Sequence, residues 1–356
     1  MMMGRVSRSR DAPFFPVMIK SPPMPPLRIA ALLPHVDVFG GVRRYLELGN
    51  AMTAMGHRFV LFHPSGAPPA WLPFRGETRP FVALGEEDFD IGLCGEYSIL
   101  PAYDRMAARA NYFYFVLEGH KDERRTARRP DLRFLGNSEG ICSRLEKKYR
   151  ISVLRAPGAV NPAIFHPLDE RISRDTFNVM AYGRITRRRK GVGIVIRAVE
   201  GLARRYPHLR LVFFDTQVGL DKVDPRPLVR TRLPFDFHLN LPQDRMAWLY
   251  GQGDVFVSAE RRAGWSNTCA EAMACRLPVI CTPSGTRDFA EDGRTALVAR
   301  FPLASLLRRR LERLMADGEL RARLALAGYE RIQSFTWESL ASSLISEFQS
   351  VLRSSA

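Results

Sequence analysis

Cysteines and long apolar runs are scarce in this sequence of 356 residues, and each scarcity argues against a class of protein. The five cysteines are odd in number and contain no Cys-x-x-Cys pair, which disfavours a disulfide framework or a zinc site and favours a reducing compartment. No apolar run approaches the length that spans a bilayer. Residues 1–26 lack the uninterrupted apolar stretch of a secretory signal, so we interpret them as a disordered leader, with Met18 or Met24 as alternative starts.

Arginine dominates the charge of the chain, which is +16 at neutral pH with only six lysines among its 53 basic residues. Such a charge indicates either a polyanionic partner or a general arginine bias on solvated surfaces. The densest run covers residues 187–190, and no basic run carries the interleaved aromatic residues that single-strand binders use. We therefore expect no nucleic-acid partner, and we retain peripheral association with an anionic membrane as an alternative.

Strand and helix patterns alternate in two series that are separated by a connector rich in proline and turn residues at 156–175. The first series predicts strands at 27–33, 57–63, 90–94, 111–117, 133–135 and 151–155, with helices at 42–55 and 138–149. The second predicts strands at 177–181, 209–214, 236–240, 254–257 and 278–281, and helices at 191–205, 242–251, 268–275, 303–315, 319–333 and 337–352. This pattern is typical of α/β proteins with two doubly wound, Rossmann-like domains that face each other across a cleft.

Four segments of the second series, at 182–191, 241–250, 254–274 and 277–293, carry a recognisable order of motifs. Together with Gly40-Gly41 and the tail Phe335-Thr-Trp337-Glu338, they resemble the retaining glycosyltransferases of family 4, over residues 27–352. The resemblance implies a GT-B fold, with an acceptor domain at 27–165, a nucleotide-sugar donor domain at 166–335, and a last helix at 336–356 that returns to the first domain.

The resemblance further implies transfer of a sugar, with retention, from a UDP- or GDP-linked donor to a glycan or a lipid-linked acceptor. Cell-surface polysaccharide biosynthesis at the cytoplasmic face of a membrane is the expected setting. Two alternatives stay open: a nucleotide-sugar 2-epimerase of the same fold, and a non-catalytic protein that binds nucleotide sugars. No residues have metal-ligand spacing and no Asp-x-Asp pair is suitably placed, so we expect metal-independent chemistry and no cofactor beyond the nucleotide-sugar co-substrate.

Arg184 follows a predicted strand, and Lys190 opens the next predicted helix. By resemblance, these two residues hold the donor diphosphate and act in catalysis. A departing diphosphate gains negative charge, which fixed cations and helix N-termini stabilise. The alternative is that both residues are surface cations inside a basic run.

An E-x7-E motif of the family is only half present in this sequence. Glu271 matches its second acid, which holds the donor ribose, although Thr268 to Glu271 also has the spacing of a capping box. The position of the first acid is occupied by Ala263. Glu260 lies three residues upstream and either replaces that acid by bending inward or is a surface carboxylate paired with its neighbouring arginines.

Small and polar residues precede the second-domain helix that carries Glu271, where backbone N–H groups contact anionic ligands. We predict donor binding by Gly264, Ser266, Asn267 and Thr268. Gly40 and Gly41 follow the first strand and either allow close approach of the donor or form a simple turn.

Glu118 and His120 follow the predicted strand that ends at residue 117. By resemblance, this strand end lies beside the reacting sugar. Histidine titrates near neutral pH, so either residue would suit proton transfer or orientation of the acceptor. The alternative for both is a structural role.

Overall fold

Two separate parallel sheets organise the chain in the computed structural model, which describes residues 25–169, 175–217 and 223–354. The strands of the first sheet are β1 (Arg28–Leu32), β2 (Arg58–His63), β3 (Glu77–Pro80), β4 (Phe89–Cys94), β5 (Ala108–Phe115), β6 (Arg133–Gly136) and β7 (Leu154–Arg155). Those of the second are β8 (Phe177–Tyr182), β9 (Leu209–Asp215), β10 (Phe235–Leu239), β11 (Val255–Val257), β12 (Val279–Cys281) and β13 (Leu297–Val298). We call the units built around these sheets the first and second domains.

Ten α-helices connect or flank these strands in the described residues. They are α1 (Gly40–Ala54), α2 (Leu100–Tyr103), α3 (Glu123–Thr126), α4 (Glu139–Tyr149), α5 (Val192–Glu200), α6 (Met246–Gly251), α7 (Asn267–Ala274), α8 (Ala304–Ala316), α9 (Gly318–Ile332) and α10 (Trp337–Ser354). None of them combines the length and apolarity needed to cross a bilayer.

Both sheets are covered on their two faces, which explains why their central strands read as continuous apolar runs. In β1, Ile29 and Ala31 face one hydrophobic cluster, whereas Ala30 and Leu32 face another on the opposite side of the sheet. The same alternation recurs in β8, whose successive side chains enter two different clusters. The doubly wound α/β fold class predicted from the alternation is confirmed.

The order of strands reverses once in each sheet, and this reversal positions the site. The first sheet runs β3-β2-β1-β4-β5-β6-β7 and the second runs β10-β9-β8-β11-β12-β13, with every strand pair parallel. Connections from adjacent strands therefore diverge at the carboxyl ends of β1 and β4, and again at those of β8 and β11. Open parallel sheets bind ligands in the crevice that forms at such a point.

The last helix, α10, returns to the first domain and completes its core. Its buried residues recur every three or four positions, from Trp337 and Leu340 through Leu344 to Phe348, and they join the cluster that also contains β1. The Phe348 ring lies 4.9 Å from that of Tyr112 in β5. The predicted helix that crosses back is confirmed as part of the GT-B architecture.

Several element boundaries differ from the sequence-based expectation. Helix α1 begins at Gly40, so Gly40 and Gly41 form its first turn rather than a preceding loop. Strand β5 ends at Phe115 instead of residue 117, and α5 ends at Glu200 instead of 205. Strands β3 and β13 were not predicted because both are short, and β3 also lacks an apolar run. The domain limits at 165 and 335 stay predictions, and most of the predicted leader lies outside the described residues.

Candidate functional site

Lys190 and Glu260 meet at the carboxyl edge of the second sheet, where the connections after β8 and β11 diverge. Gly191 has a φ of +69°, and a Cβ there would lie 2.4 Å from the carbonyl oxygen of Ala259. Only glycine therefore lets the segment after β8 pack against the segment after β11. Lys190 Nζ donates to the Glu260 carboxylate, whose second oxygen accepts from Ser266 Oγ at 3.4 Å. We call Lys190, Glu260 and Ser266 the Lys190 cluster.

Burial makes this pairing obligatory for Glu260, which is only 6% exposed. A carboxylate removed from water is costly unless charged or polar partners surround it. The interpretation of Glu260 as a surface carboxylate is therefore wrong, and its side chain points inward. The Lys190 ammonium also lies 5.4 Å from the centre of the Tyr182 ring, a cation–π contact that holds it at the end of β8.

Arg184 is buried beside the Lys190 cluster rather than exposed on the surface. Its Nε donates to Asp215 Oδ1 at 3.0 Å, and its Nη2 donates to the carbonyl of Thr216. These contacts join the ends of the adjacent strands β8 and β9. The interpretation of Arg184 as a surface cation is wrong, and a carboxylate of its own domain meets its charge.

Glu271 lies in α7, within range of the charge of Arg43 in the first domain. Tyr250 Oη donates to its carboxylate at 2.8 Å and lies 3.4 Å from the carbonyl oxygen of Thr268. Because α7 begins at Asn267, Thr268 lies inside its first turn, and the capping-box interpretation is wrong. Burial raises the pKa of Glu271, against the opposing effects of the Arg43 charge and the Tyr250 hydrogen bond.

The N-termini of α1 and α7 face each other across the cleft. A Cβ at Gly40 would lie 2.5 Å from Asn267 Nδ2, so the absence of a side chain allows the two domains to approach. Gly40 is exposed and Gly41 is half-buried, with their backbone on the cleft side of α1. Arg43 in the next turn donates to the side chain of Gln243 in the second domain.

The loop before α7 also contacts the first domain. Leu117 and Ala263 form an antiparallel bridge between the domains. A Cβ at Gly264 would lie 2.3 Å from both the carbonyl oxygen of Val116 and Asn137 Oδ1. Ala263 therefore occupies the place of the missing acid as a packing residue, and the loop closes directly onto the strand end that follows β5.

Asp288 also links the two domains. Its fully buried carboxylate accepts from Arg155 Nη2 at 2.6 Å and from the backbone N–H of Glu139 at 3.2 Å. It therefore stabilises the N-terminus of α4 from the opposite domain, where negative charge is favourable. Its carbonyl oxygen accepts from Arg331 Nη2 at 2.7 Å, which fixes the turn that carries it.

Glu118 borders a cavity of about 370 Å³ between the domains. We call this cavity the interdomain pocket, and its lining includes Glu118, Ser138, Gly140, Arg144, Arg262 and Arg287. Burial raises the pKa of Glu118, although the charges of Arg144, Arg287 and Arg262 act in the opposite direction. The pocket thus combines one carboxylate with guanidinium groups from both domains.

His120 is not among the residues that line this pocket. Its ring stacks on Tyr97 with the centres 4.1 Å apart, and its Nδ1 accepts from the backbone N–H of Asp122 at 3.2 Å. Of the two residues predicted at this strand end, the structure brings only Glu118 to the interdomain pocket.

Several charged residues of the site were missed by sequence reasoning: Asp215, Arg144, Arg262, Arg287 and Asp288. Asp215 ends an apolar strand, which is a signal that could have been used. The three arginines stand among 47 in the chain, so composition offers no way to select them. Asp288 contacts residues more than 130 positions away, a pairing that a single sequence does not reveal.

Comparison with known proteins agrees with this architecture. Residues 168–331 match the family model described as glycosyl transferases group 1. The capsular polysaccharide biosynthesis glycosyltransferase CapM of Staphylococcus aureus is 26% identical over 221 residues, which cover 57% of this chain and 57% of that protein. The chain spans about half the length of the curated relatives it matches.

Solved structures match over nearly the whole chain. Sucrose-phosphate synthase from Thermosynechococcus elongatus superposes with a TM-score of 0.76 at 18% identity, covering 92% of this chain and 99% of that one. HepE of Anabaena, in complex with UDP-glucose, superposes with a TM-score of 0.71 at 15% identity, covering 91% and 100%. The second domain of this chain is therefore similar to the glycosyl transferases group 1 over residues 168–331, and the two domains together form a GT-B fold.

Proposed function

We propose that this chain is a glycosyltransferase that moves a sugar from a nucleotide-sugar donor to an acceptor hydroxyl. The observation that carries the proposal is the convergence of Lys190 and the N-termini of α1 and α7 on one cleft. Each of the three contributes positive charge or free N–H donors, which is the environment that a diphosphate requires. The family match of the second domain and the UDP-glucose complex of HepE support this reading.

In this proposal the diphosphate displaces Glu260 from Lys190. The ammonium then stabilises the negative charge that develops as the sugar leaves. Glu260 then becomes available to the sugar hydroxyls and replaces the motif acid whose position is occupied by Ala263. Glu271 binds the ribose. Arg184 lies at the end of the neighbouring strand and supports the diphosphate from behind the Lys190 cluster, held by Asp215.

The loop that precedes α7 supplies the remaining donor contacts. Backbone N–H groups at Gly264, Asn267 and Thr268, together with the Ser266 hydroxyl, are proposed to bind the phosphate or sugar oxygens, opposite Gly40 and Gly41. The backbone N–H of Ser266 itself donates to the carbonyl oxygen of Gly285. Glu118 is proposed to orient the acceptor hydroxyl, because it borders the interdomain pocket. A catalytic role of His120 stays a prediction, and its ring is stacked on Tyr97 and does not line that pocket.

Retention of configuration, metal independence and a site of action at the cytoplasmic face of a membrane complete the proposal. Determination of the anomeric configuration of the product tests the first. Activity in excess EDTA tests the second, because an enzyme that needs a divalent ion loses turnover when the ion is removed.

Calorimetric titration with UDP tests the proposal directly. We expect the parent protein to bind UDP and Lys190→Gln to weaken binding by roughly 10- to 100-fold, the range of a lost charge-assisted hydrogen bond. Lys147→Gln, which removes an exposed lysine from α4, is the matched control and should bind as the parent does. Equal UDP affinity in the parent and in Lys190→Gln would refute the assigned phosphate site.

Incubation with UDP-sugars separates the alternatives. Release of UDP only in the presence of an acceptor extract supports the transferase. Conversion of the donor to its 2-epimer without any acceptor would indicate an epimerase, and binding with neither product would indicate a non-catalytic protein.

A further inference from the structure

Two guanidinium groups of the interdomain pocket lack a hydrogen-bonded carboxylate among the residues that the structure describes. Arg262 and Arg287 extend into it from the second domain, and Arg144 borders it from α4. Arg144 is bound to the buried carboxylate of Glu123, with Nη1 at 2.8 Å from Oε1. Across the described ranges, neither Arg262 nor Arg287 makes a hydrogen bond or an ion pair with another residue.

The backbone of α4 adds an uncapped donor to the same space. Asp288 accepts from the N–H of Glu139, and Ser138 Oγ accepts from the N–H of Ile141 at 3.3 Å. The N–H of Gly140 lies between them and meets no acceptor in the part of the chain that the structure describes. A Cβ at Gly140 would lie 3.8 Å from Arg287 Cδ, so this N–H and the Arg287 side chain border one another.

The charges of the pocket do not balance. Three guanidinium groups face two carboxylates, since Glu123 holds Arg144 and Glu118 is shared by all three. The backbone of Arg262 has a φ of +59°, a left-handed conformation that is uncommon outside glycine. Neutral hydroxyl groups need no such array, whereas planar guanidinium groups match the oxygens of a phosphate with paired hydrogen bonds.

We propose that the interdomain pocket binds a phosphate group on the acceptor, next to the hydroxyl that receives the sugar. This inference rests on the proposed glycosyltransferase function and names its substrate class, a phosphorylated acceptor. The cavity of about 370 Å³ admits a phosphate together with a group the size of glycerol or a sugar.

The reaction leaves the acceptor phosphate unchanged. The bond from the anomeric carbon to the diphosphate oxygen breaks, a bond from that carbon to the acceptor oxygen forms, and the hydroxyl proton passes to the departing diphosphate. Arg262 and Arg287 position the acceptor, and Glu118 orients its hydroxyl.

Calorimetric titration of inorganic phosphate into protein saturated with UDP tests the pocket separately from the donor site. We expect the parent to bind phosphate. Arg262→Gln and Arg287→Gln should each weaken phosphate binding by about tenfold or more, because each variant loses one charge-assisted contact. Arg205→Gln is the matched control, since Arg205 is 72% exposed and pairs with Glu312 away from the pocket. Equal melting temperatures of the variants and parent confirm that folding is unaffected.

The outcomes distinguish this inference from the function on which it rests. UDP binding without phosphate binding in the parent overturns the pocket assignment and leaves the transferase proposal intact. Phosphate affinities that are unchanged in both arginine variants also overturn it. A parent protein that binds neither UDP nor GDP overturns both.

A second comparison identifies the source of the phosphate. Glycerol 3-phosphate presents a phosphate monoester on a free acceptor, and vesicles of phosphatidylglycerol present a phosphodiester next to glycerol hydroxyl groups in a lipid. Binding of either one that is lost in Arg287→Gln supports the proposal and identifies the acceptor form. Vesicle binding that Arg287→Gln leaves unchanged, with no binding of glycerol 3-phosphate, contradicts it.

Discussion

The Lys190 cluster and the interdomain pocket both contain cationic side chains, but the pairing of those side chains with carboxylates differs. Lys190 is bound to Glu260, and neighbouring Arg184 is bound to Asp215, all within the second domain. In the interdomain pocket, Arg262 and Arg287 share an electrostatic interaction with Glu118 of the first domain and form no hydrogen bond or ion pair among the residues that the structure describes. The first site is therefore complete inside one domain, whereas the second exists only while the domains are together.

Burial explains the difference. Arg184 and Glu260 are less than a tenth exposed, and a buried charge without a partner would cost several kilocalories per mole. Arg262 and Arg287 are exposed at the rim of the cleft, where water stabilises them until a ligand replaces it. An anion that enters the Lys190 cluster must displace a carboxylate, and one that enters the interdomain pocket does not.

Loss of the Asp288 contact should have the largest effect among these changes, and it should affect the two sites differently. Asp288→Asn removes the charge that holds Arg155 and the N-terminus of α4, so we expect the free energy of unfolding to fall by about 2–3 kcal/mol. Phosphate affinity of the interdomain pocket should fall with it, while UDP affinity should stay near that of the parent. Urea unfolding and calorimetry provide the two measurements.

Glu291→Gln is the matched control for this change. Glu291 lies three residues after Asp288 and forms an exposed ion pair with Arg294. Loss of this ion pair should lower the free energy of unfolding by under about 0.5 kcal/mol. A loss of UDP affinity in Asp288→Asn as large as the loss of phosphate affinity would mean that the Lys190 cluster also depends on the contact between domains.

Removal of the carboxylate from the Lys190 cluster should have an intermediate effect. In Glu260→Gln, the diphosphate no longer competes with a carboxylate for Lys190, so UDP affinity should rise by about three- to tenfold. UDP-glucose should gain less than UDP, because Glu260 is proposed to contact the sugar. Glu312→Gln, which removes the surface partner of Arg205, should leave both affinities unchanged. Weaker UDP binding in Glu260→Gln would show that the carboxylate positions Lys190 more than it competes with the ligand.

The smallest effect concerns the carboxylate of the interdomain pocket. Burial raises the pKa of Glu118 above its ordinary value of 4.5, so the folded state favours its protonated form. The protonated Glu118 side chain contributes to the stability of the folded state below pH 4.5, and this contribution is lost as the pH rises through the folded-state pKa. Glu118→Gln should therefore match the parent at low pH and exceed it by under about 1 kcal/mol at neutral pH.

Urea unfolding at a series of pH values measures this difference, with Glu146→Gln on the exposed face of α4 as the control. A difference between Glu118→Gln and the parent that shrinks as pH rises would contradict the assigned direction of the pKa change.

Most helices and strands could be predicted from the sequence, because parallel strands that are buried on both faces leave apolar runs that alternate with helical periodicity. The donor-side residues Lys190, Glu260, Ser266 and Glu271 were found through motif resemblance, and the structure brings the first three into one cluster. The inward position of Glu260 could not be decided, since Ala263 interrupts the motif and the loop path depends on contacts with the first domain.

The sequence alone determined the two series of alternating strands and helices, the buried parallel type of those strands, and the glycines that permit close packing. These features depend on local periodicity and backbone freedom. Only the tertiary structure decided which arginines border the interdomain pocket. Glu118, Arg144, Arg262 and Arg287 come from distant parts of the chain, and the closure of two domains brings them around one cavity. Such a convergence depends on the relative position of the domains, which no local pattern in the chain encodes.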